Sequence, residues 1–410
     1  MTLTPDGMTL NPMTETRTRW PVVFALVGAG VICAFQVGKA AIAVPLVRHD
    51  LNLSLSFASW LVSAYAALGA LAGLAIGIGV TRVSPRAVAI GGMALLGVAS
   101  CLGAAATSGE MLLVTRVIEG FGFIPAVIAM PSLIRAVSSP RDDDMVMSVW
   151  SSYVPIGMVM IMLAGPWVAA GGWRLLWLGN GVLAILYAGV LALVAPTVAV
   201  RSGVQSAPRR SALDNARDVL RLRGPVVLAL SFCLYTVHYH ALVGLMPTLM
   251  IDRLGLSITT AGALVALTIF FNAIGNLSAG WLNRVGVPPW MLLAISFVLM
   301  ATMSLGIFSP YAPAALVAAL ACVSVGFSGV VPGSVFVCAP SYTPRPELLS
   351  VTLGVIVQAS TIGQFLGPAA LGAWADNFGW SSAPILFVTL GVMGLALSFA
   401  LRGAKTVAQQ

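Results

Sequence analysis

The sequence predicts an all-α integral membrane protein, with twelve transmembrane helices folded as two pseudo-symmetric six-helix bundles, and three observations carry that expectation. Of its 410 residues, 59% are hydrophobic and 8% charged, with a mean hydropathy of +0.98. A soluble domain carries about 25% charged residues and needs them to coat its surface. Long apolar runs recur along the whole chain at the length that crosses a bilayer, about 20 residues. Landmarks of the first half return in the second at one fixed offset. These features exclude a cytoplasmic enzyme, a secreted disulfide scaffold and a disordered chain. The five cysteines, Cys33, Cys101, Cys233, Cys322 and Cys338, all sit inside apolar stretches without disulfide or metal spacing, so they read as small hydrophobes.

Residues 1–19 form a polar tail rich in Thr that ends in Arg17 and Arg19. The first apolar run, Trp20 to Val47, exceeds the core of a signal peptide and lacks a small-residue cleavage site, so it is expected to stay as the first span. Further runs follow at 57–81, 86–107, 110–137, 146–170 and 174–196, separated by Pro, Gly or charged residues. Residues 197–223 interrupt the pattern as the one long polar stretch between spans. They contain Arg209, Arg210, Arg217, Arg221 and Arg223 and read as a cytoplasmic linker carrying a short surface helix. Six more runs fill 225–251, 257–282, 288–308, 312–338, 349–375 and 382–402, ahead of a tail at 403–410. The chain thus divides into an N-terminal bundle, 20–196, and a C-terminal bundle, 224–402.

Charge placement gives the orientation. With the N-terminus cytoplasmic, sixteen of the 21 cationic residues fall in cytoplasmic segments. Only Arg48, Arg174 and Arg253 fall outside, while Lys39 and Arg116 lie within spans. This asymmetry satisfies the positive-inside rule with both termini cytoplasmic. It also accounts for the net charge of +8 by topology and contact with anionic lipid, without nucleic acid as a partner. The expected setting is a multi-pass protein of a cell membrane, a bacterial inner membrane, acting as a monomer.

A shift of 202 residues pairs Pro45 with Pro247 and Asp50 with Asp252. The same shift pairs Thr81-Arg82-Val83 with Asn283-Arg284-Val285, and Gly165-Pro166 with Gly367-Pro368. One offset from the first to the fifth helix of each half marks a duplicated six-helix unit.

These residues resemble the major facilitator superfamily over essentially the whole chain, from about residue 20 to 402. Leu112-x-x-x-Arg116-x-x-Glu119-Gly120-x-Gly122 is similar to the family's motif B, with Glu where Gln is usual. Gly77-x-x-x-Thr81-Arg82-x-x-Pro85-Arg86 resembles motif A, with Thr81 in place of Asp and Ser84 in place of Gly; Gly280 to Gly286 keeps its shape with Asn283 for Asp. Gly157 with Gly165-Pro166 resembles motif C, associated in the family with proton-coupled antiporters, although Ala169-Ala170 replaces its trailing Gly pair. The resemblance implies a secondary transporter whose two bundles rock around a central cavity. It further implies gating roles for Thr81, Arg82, Asn283, Arg284, Gly165 and Pro166, with Thr81 weakening the latch that the motif A acid makes elsewhere in the family. It associates Arg116 with proton transfer. No cofactor is implied.

Chemistry must come from polar residues inside the apolar spans, where an ionisable group costs at least about 2.5–3.5 kcal/mol on insertion scales unless paired or hydrated. Lys39, one of two lysines in the chain, lies well inside the first span with Gln36 one turn earlier. It either snorkels to the headgroups or faces the cavity, and its depth favours the cavity. Arg116 and Glu119 stand at i and i+3 on the fourth span and are expected to meet, as a structural pair or as a proton-coupling site. The seventh span carries Tyr235, His238, Tyr239 and His240. His238 shares a face with Tyr235 and suits a proton relay, whereas His240 points elsewhere and is expected to bond a neighbouring helix. The His-x-His spacing hints at a metal, but His49 is the only other histidine, so no metal is expected. Thr268, Asn272 and Asn276 on the eighth span, Gln358 and Thr361 on the eleventh, and Tyr153 on the fifth are further polar candidates. Asn and Gln serve as readily as glue between helices.

The candidate substrate-binding set is therefore Gln36, Lys39, Tyr153, Tyr235, His238, Asn272, Asn276 and Gln358. The proton-coupling set is Arg116, Glu119 and His238. Two cations against one carboxylate predict a positive lumen and a small anionic or zwitterionic solute, moved by proton-coupled alternating access. Met130 to Arg135, followed by Met147 to Trp150, resembles the cyanate-permease-type branch of the superfamily, whereas motif C points to the alternative, efflux of drugs, siderophores or metabolites. A membrane-embedded enzyme is not expected, because no nucleophile, metal set or cofactor loop accompanies Glu119 and His238.

Overall fold

A computed structural model of the protein describes residues 17–80, 83–197, 217–343, 345 and 348–404. Twelve helices in it are long and apolar enough to cross a membrane. They are α1 (Trp20–Leu51), α2 (Leu55–Gly73), α3 (Pro85–Ala104), α4 (Gly109–Arg135), α5 (Met145–Ala169), α6 (Trp173–Val194), α7 (Arg223–Leu254), α8 (Ile258–Arg284), α9 (Pro289–Ile307), α10 (Ala314–Tyr342), α11 (Val351–Phe378) and α12 (Trp380–Arg402). Among the described residues there is no β-strand. Arg217 lies in a single helical turn and Arg223 opens α7, whereas Arg209, Arg210, Thr81 and Arg82 fall outside the described residues.

The helix ends follow their sequences. Ser54, Ser108 and Ser257 accept hydrogen bonds from Phe57, Met111 and Thr260 at the starts of α2, α4 and α8, satisfying N–H groups that a first turn leaves free. Proline occupies the first turn of α1, α3, α9 and α12, where its missing N–H costs nothing. α1 ends in a left-handed Asn52 and α7 in a left-handed Gly255, so even the caps are repeated between halves.

The duplication read from the sequence is visible in the packing. α1 packs on α5 as α7 packs on α11, α3 on α6 as α9 on α12, and α3 on α4 as α9 on α10. The halves meet along two related seams, α2 with α11 and α5 with α8, and along α1 with α7. Glycine permits the closest approaches: a Cβ at Gly120 would sit 2.2 Å from the Tyr65 carbonyl oxygen, and one at Gly275 would sit 2.0 Å from that of Gly326. Leu71, Leu193 and Leu277 on the outer surface are 83%, 87% and 80% exposed, as side chains bathed by lipid would be.

Apolar runs place the end of the first span at Val47, yet α1 stays helical through Arg48, His49 and Asp50. The reason is partnership at the bundle's end. Asp50 accepts from Trp173 Nε1 at 2.9 Å and pairs with Arg174, while Arg48 pairs with Asp252 across the halves at 2.9 Å. At the same end, Asp376 of α11 accepts from the Ser56 backbone N–H at 3.2 Å, placing a carboxylate from one half at the N-terminus of a helix in the other. Arg48→Asp should loosen this closed end. The pair is partly exposed and worth at most about 1 kcal/mol, so thiol labelling of a cysteine introduced at Ser56 should rise by up to about fivefold, and Asp252→Arg on the same background should reverse it.

Candidate functional site

Two groups of side chains stand out among the polar residues of the apolar spans. The first lies wholly inside the N-terminal bundle. Glu119 on α4 receives Lys39 Nζ of α1 at 2.8 Å on Oε1 and pairs through Oε2 with Arg116 Nη1, one turn back on its own helix. All three side chains are fully buried. Lys39 also donates to Ser100 Oγ of α3 at 2.7 Å, and that hydroxyl donates to the Trp177 carbonyl of α6 at 2.8 Å. The Trp177 ring centroid lies 4.8 Å from Lys39 Nζ, a cation–π distance. Four helices thus converge on one ammonium group.

Arg116 extends this cluster to α2. Its Nε donates to the Leu61 carbonyl at 2.8 Å, just before a short 3-10 stretch, Ala64–Ala66, that interrupts the helix. Its guanidinium stands 5.6 Å from the Tyr65 ring centroid. A 3-10 segment within a long helix often marks a hinge. Tyr65 carries the connection across the halves, donating to Gln364 Oε1 on α11 at 3.2 Å.

The second place is a narrow cavity between the halves with room for about one water molecule. Val37 and Ala41 of α1, Met158 of α5, Val243 and Pro368 give it apolar walls, and Tyr239, His240 and Gln364 supply its polar groups. His240 Nδ1 donates to the Thr236 carbonyl at 3.0 Å, which leaves Nε2 as the ring's acceptor.

The two histidines of α7 lie in different surroundings. His238 is buried inside the C-terminal bundle, its Nε2 3.4 Å from Ser324 Oγ and its ring edge-on to Phe387 at 4.7 Å, with Nδ1 unpartnered. Residues two apart lie about 200° apart around a helix, so the face that takes Tyr239 and His240 to the centre turns His238 away from it.

Other candidates also fall away from the cavity. Asn272 donates to the Val325 carbonyl at 2.8 Å and to Ser328 Oγ at 3.1 Å, tying α8 to α10. Asn276 is exposed on α8, and its side-chain oxygen borders Gly333 of α10. Tyr235 stacks on Phe232 at 5.8 Å, and Tyr153 stacks on Trp150 at 4.4 Å against Gly30 of α1. Gln358 donates to the Ala70 carbonyl and so bridges α11 and α2 at the inter-half seam. Gln36 is fully buried, and neither of its amide atoms has a hydrogen-bond partner.

Of the gating residues, Pro166 borders Gly262 on the α5–α8 seam, and Gly165 lies on the same turn near Ile42. Asn283 donates to Ala279 of its own helix at 2.9 Å, and Arg284 is exposed at its end. The residues that sequence reasoning missed are Ser100, Trp177, Tyr65 and Gln364. Only Gln364 carried a signal, its position three residues past Thr361 on an already polar stripe.

Comparisons with known proteins agree with this architecture. The sequence profile described as Major Facilitator Superfamily matches residues 26–368. The methylenomycin A resistance protein of Bacillus subtilis (strain 168) is 27% identical over 164 residues, covering 39% of this chain and 34% of that protein. The tetracenomycin C resistance and export protein of Streptomyces glaucescens is 28% identical over 152 residues, covering 37% of this chain and 28% of that protein. The match therefore spans about a third of the length of these relatives. Among solved structures, a bacterial homologue of the human lysosomal transporter Spinster, inward-facing and unoccupied, superposes with a TM-score of 0.75 at 16% identity, over 94% of this chain and 95% of that one. The nucleoside transporter NupG superposes with a TM-score of 0.73 at 15% identity, over 93% and 99%. A profile match reaching from the first helix into the eleventh, on a fold duplicated in this way, makes the chain a member of the Major Facilitator Superfamily.

Proposed function

We propose that the protein is a proton-coupled exporter of small, largely uncharged organic compounds, working by alternating access as a monomer in a bacterial inner membrane with both termini cytoplasmic. The observation that carries this reading is the separation of the two polar places. The cavity between the halves offers apolar walls with Tyr239, His240 and Gln364, while the membrane-embedded charges are sequestered in one bundle. The expectation of an anionic solute rested on Lys39 and Arg116 facing the lumen. Both are engaged by Glu119, fully buried and outside the cavity lining, and two relatives named for resistance favour the efflux alternative. On this orientation, Arg48–Asp252 and Ser56–Asp376 close the outer face.

The test is transport in proteoliposomes with an imposed pH gradient, using a panel of neutral organic compounds, tetracenomycin C among them, and a panel of small organic anions that includes methylenomycin A, a carboxylic acid. Gradient-dependent movement of the uncharged compounds supports the proposal. Movement of anions alone returns the reading to an anion carrier, chemical conversion of a probe makes the protein an enzyme, and downhill flux indifferent to the gradient makes it a channel. Tyr239→Phe and His240→Ala each remove one cavity hydrogen-bonding group worth about 0.5–1.5 kcal/mol. Apparent affinity for a transported probe should weaken by up to about tenfold, whereas His238→Ala should leave it within twofold.

A further inference from the structure

We infer that the proton coupled to transport is carried by Lys39, with Glu119 as its fixed counter-ion. The inference rests on the proton-coupled reading above. It starts from the charge of the cluster. Arg116 does not titrate in proteins, so the fully buried triad of Lys39, Glu119 and Arg116 carries a net charge of +1 when its other members are ionised. Two proton movements are open to it. Adding a proton to Glu119 takes the triad to +2 and strips both cations of their partner; removing one from Lys39 takes it to zero and leaves the Arg116–Glu119 pair whole. In a medium that penalises uncompensated charge, the second movement is the accessible one.

The surroundings fit a lysine that alternates between ammonium and amine. From α3, Lys39 meets Ser100 Oγ; from α4, Glu119, itself paired with Arg116; from α6, the Trp177 ring. Among the described residues, Glu119 is the one carboxylate in ion-pair contact with it. As an ammonium, Lys39 donates to Ser100 and Glu119. As an amine it still has two N–H groups for those two partners, and gains a lone pair. In the step, the Nζ–H bond facing Glu119 Oε1 breaks, its electron pair stays on nitrogen, and the proton passes by way of that carboxylate to water, which must reach the cluster in a conformation other than this one, where the triad is fully buried. Reloading reverses the path.

Lys39 and Lys405 are the only lysines in the chain, so lysine labelled with 15N at Nζ gives two side-chain signals in nanodiscs, and Lys39→Met assigns them. Over the pH range in which the protein stays folded, the Lys39 signal should pass from ammonium to amine, while the carboxyl carbon of Glu119, labelled with 13C, stays at its carboxylate position. A Lys39 signal fixed as ammonium, or a Glu119 carbon that moves to the protonated position, overturns the inference. Lys39→Arg, which keeps the charge and cannot release it, should lose gradient-driven movement of the probes above while retaining their exchange between compartments; gradient-driven movement that survives in this variant also overturns it. A lysine that titrates in a protein moving none of those probes leaves the inference standing and defeats the export reading instead.

Discussion

Glu119→Gln is expected to lower stability by about 3–5 kcal/mol, because it removes the single carboxylate from a site that holds two fully buried cations. The neutral amide keeps the shape and one acceptor but leaves Lys39 and Arg116 facing each other across the gap. Lys39→Met should cost far less. It leaves Arg116 and Glu119 as a balanced pair, fills the same volume with an apolar chain, and forfeits one bond to Ser100 and one to the carboxylate. The asymmetry is the signature of a cluster organised around its acid. Thermal unfolding of both variants in detergent, followed by Trp fluorescence, measures it; equal losses would mean that Glu119 is not the shared partner.

Gly120→Val is the second large effect. Its Cβ would enter at 2.2 Å from the Tyr65 carbonyl oxygen, a backbone atom that cannot swing aside. Overpacking of this kind costs about 1–3 kcal/mol and occasionally more. Here it also displaces the 3-10 stretch that sets Tyr65 against Arg116, so the unfolding temperature and transport should fall together. Gly189→Ala is the control. Nothing lies within 4 Å of a Cβ there, and a helical Gly→Ala change without strain stabilises by about 0.4–1 kcal/mol.

The fold was legible because its physics is one-dimensional. Spans follow from apolar length, and the duplication from a constant offset between Pro45 and Pro247 or between Gly165-Pro166 and Gly367-Pro368. The Arg116–Glu119 pair was legible for the same reason, since i and i+3 on a helix must be neighbours. Lys39 reaching Glu119 was not, because a contact 80 residues apart depends on how α1, α3, α4 and α6 converge, which no local spacing encodes. The different surroundings of His238 and His240 have a similar origin. Helical periodicity separates the two faces of α7, but the neighbouring helices decide which face is central. Asn272 shows the remaining ambiguity: an amide inside a span satisfies α10 as well as it would satisfy a solute, and composition does not distinguish the two.

The contact of Asp376 with the Ser56 N–H has an implication for how easily the molecule moves. The first turn of α2 is completed from the other half, by a group at the rim where water can replace it at a net difference of about 0.5–1.5 kcal/mol. Arg48 and Asp252 are equally replaceable. No such substitute exists for Lys39, Glu119 and Arg116, which are sealed from solvent. The rim bonds that water can imitate join the bundles, beside the more buried Tyr65–Gln364 and Gln358–Ala70 bonds, whereas the sealed ion pairs stay within one bundle. The rim is therefore where separating the two bundles costs least.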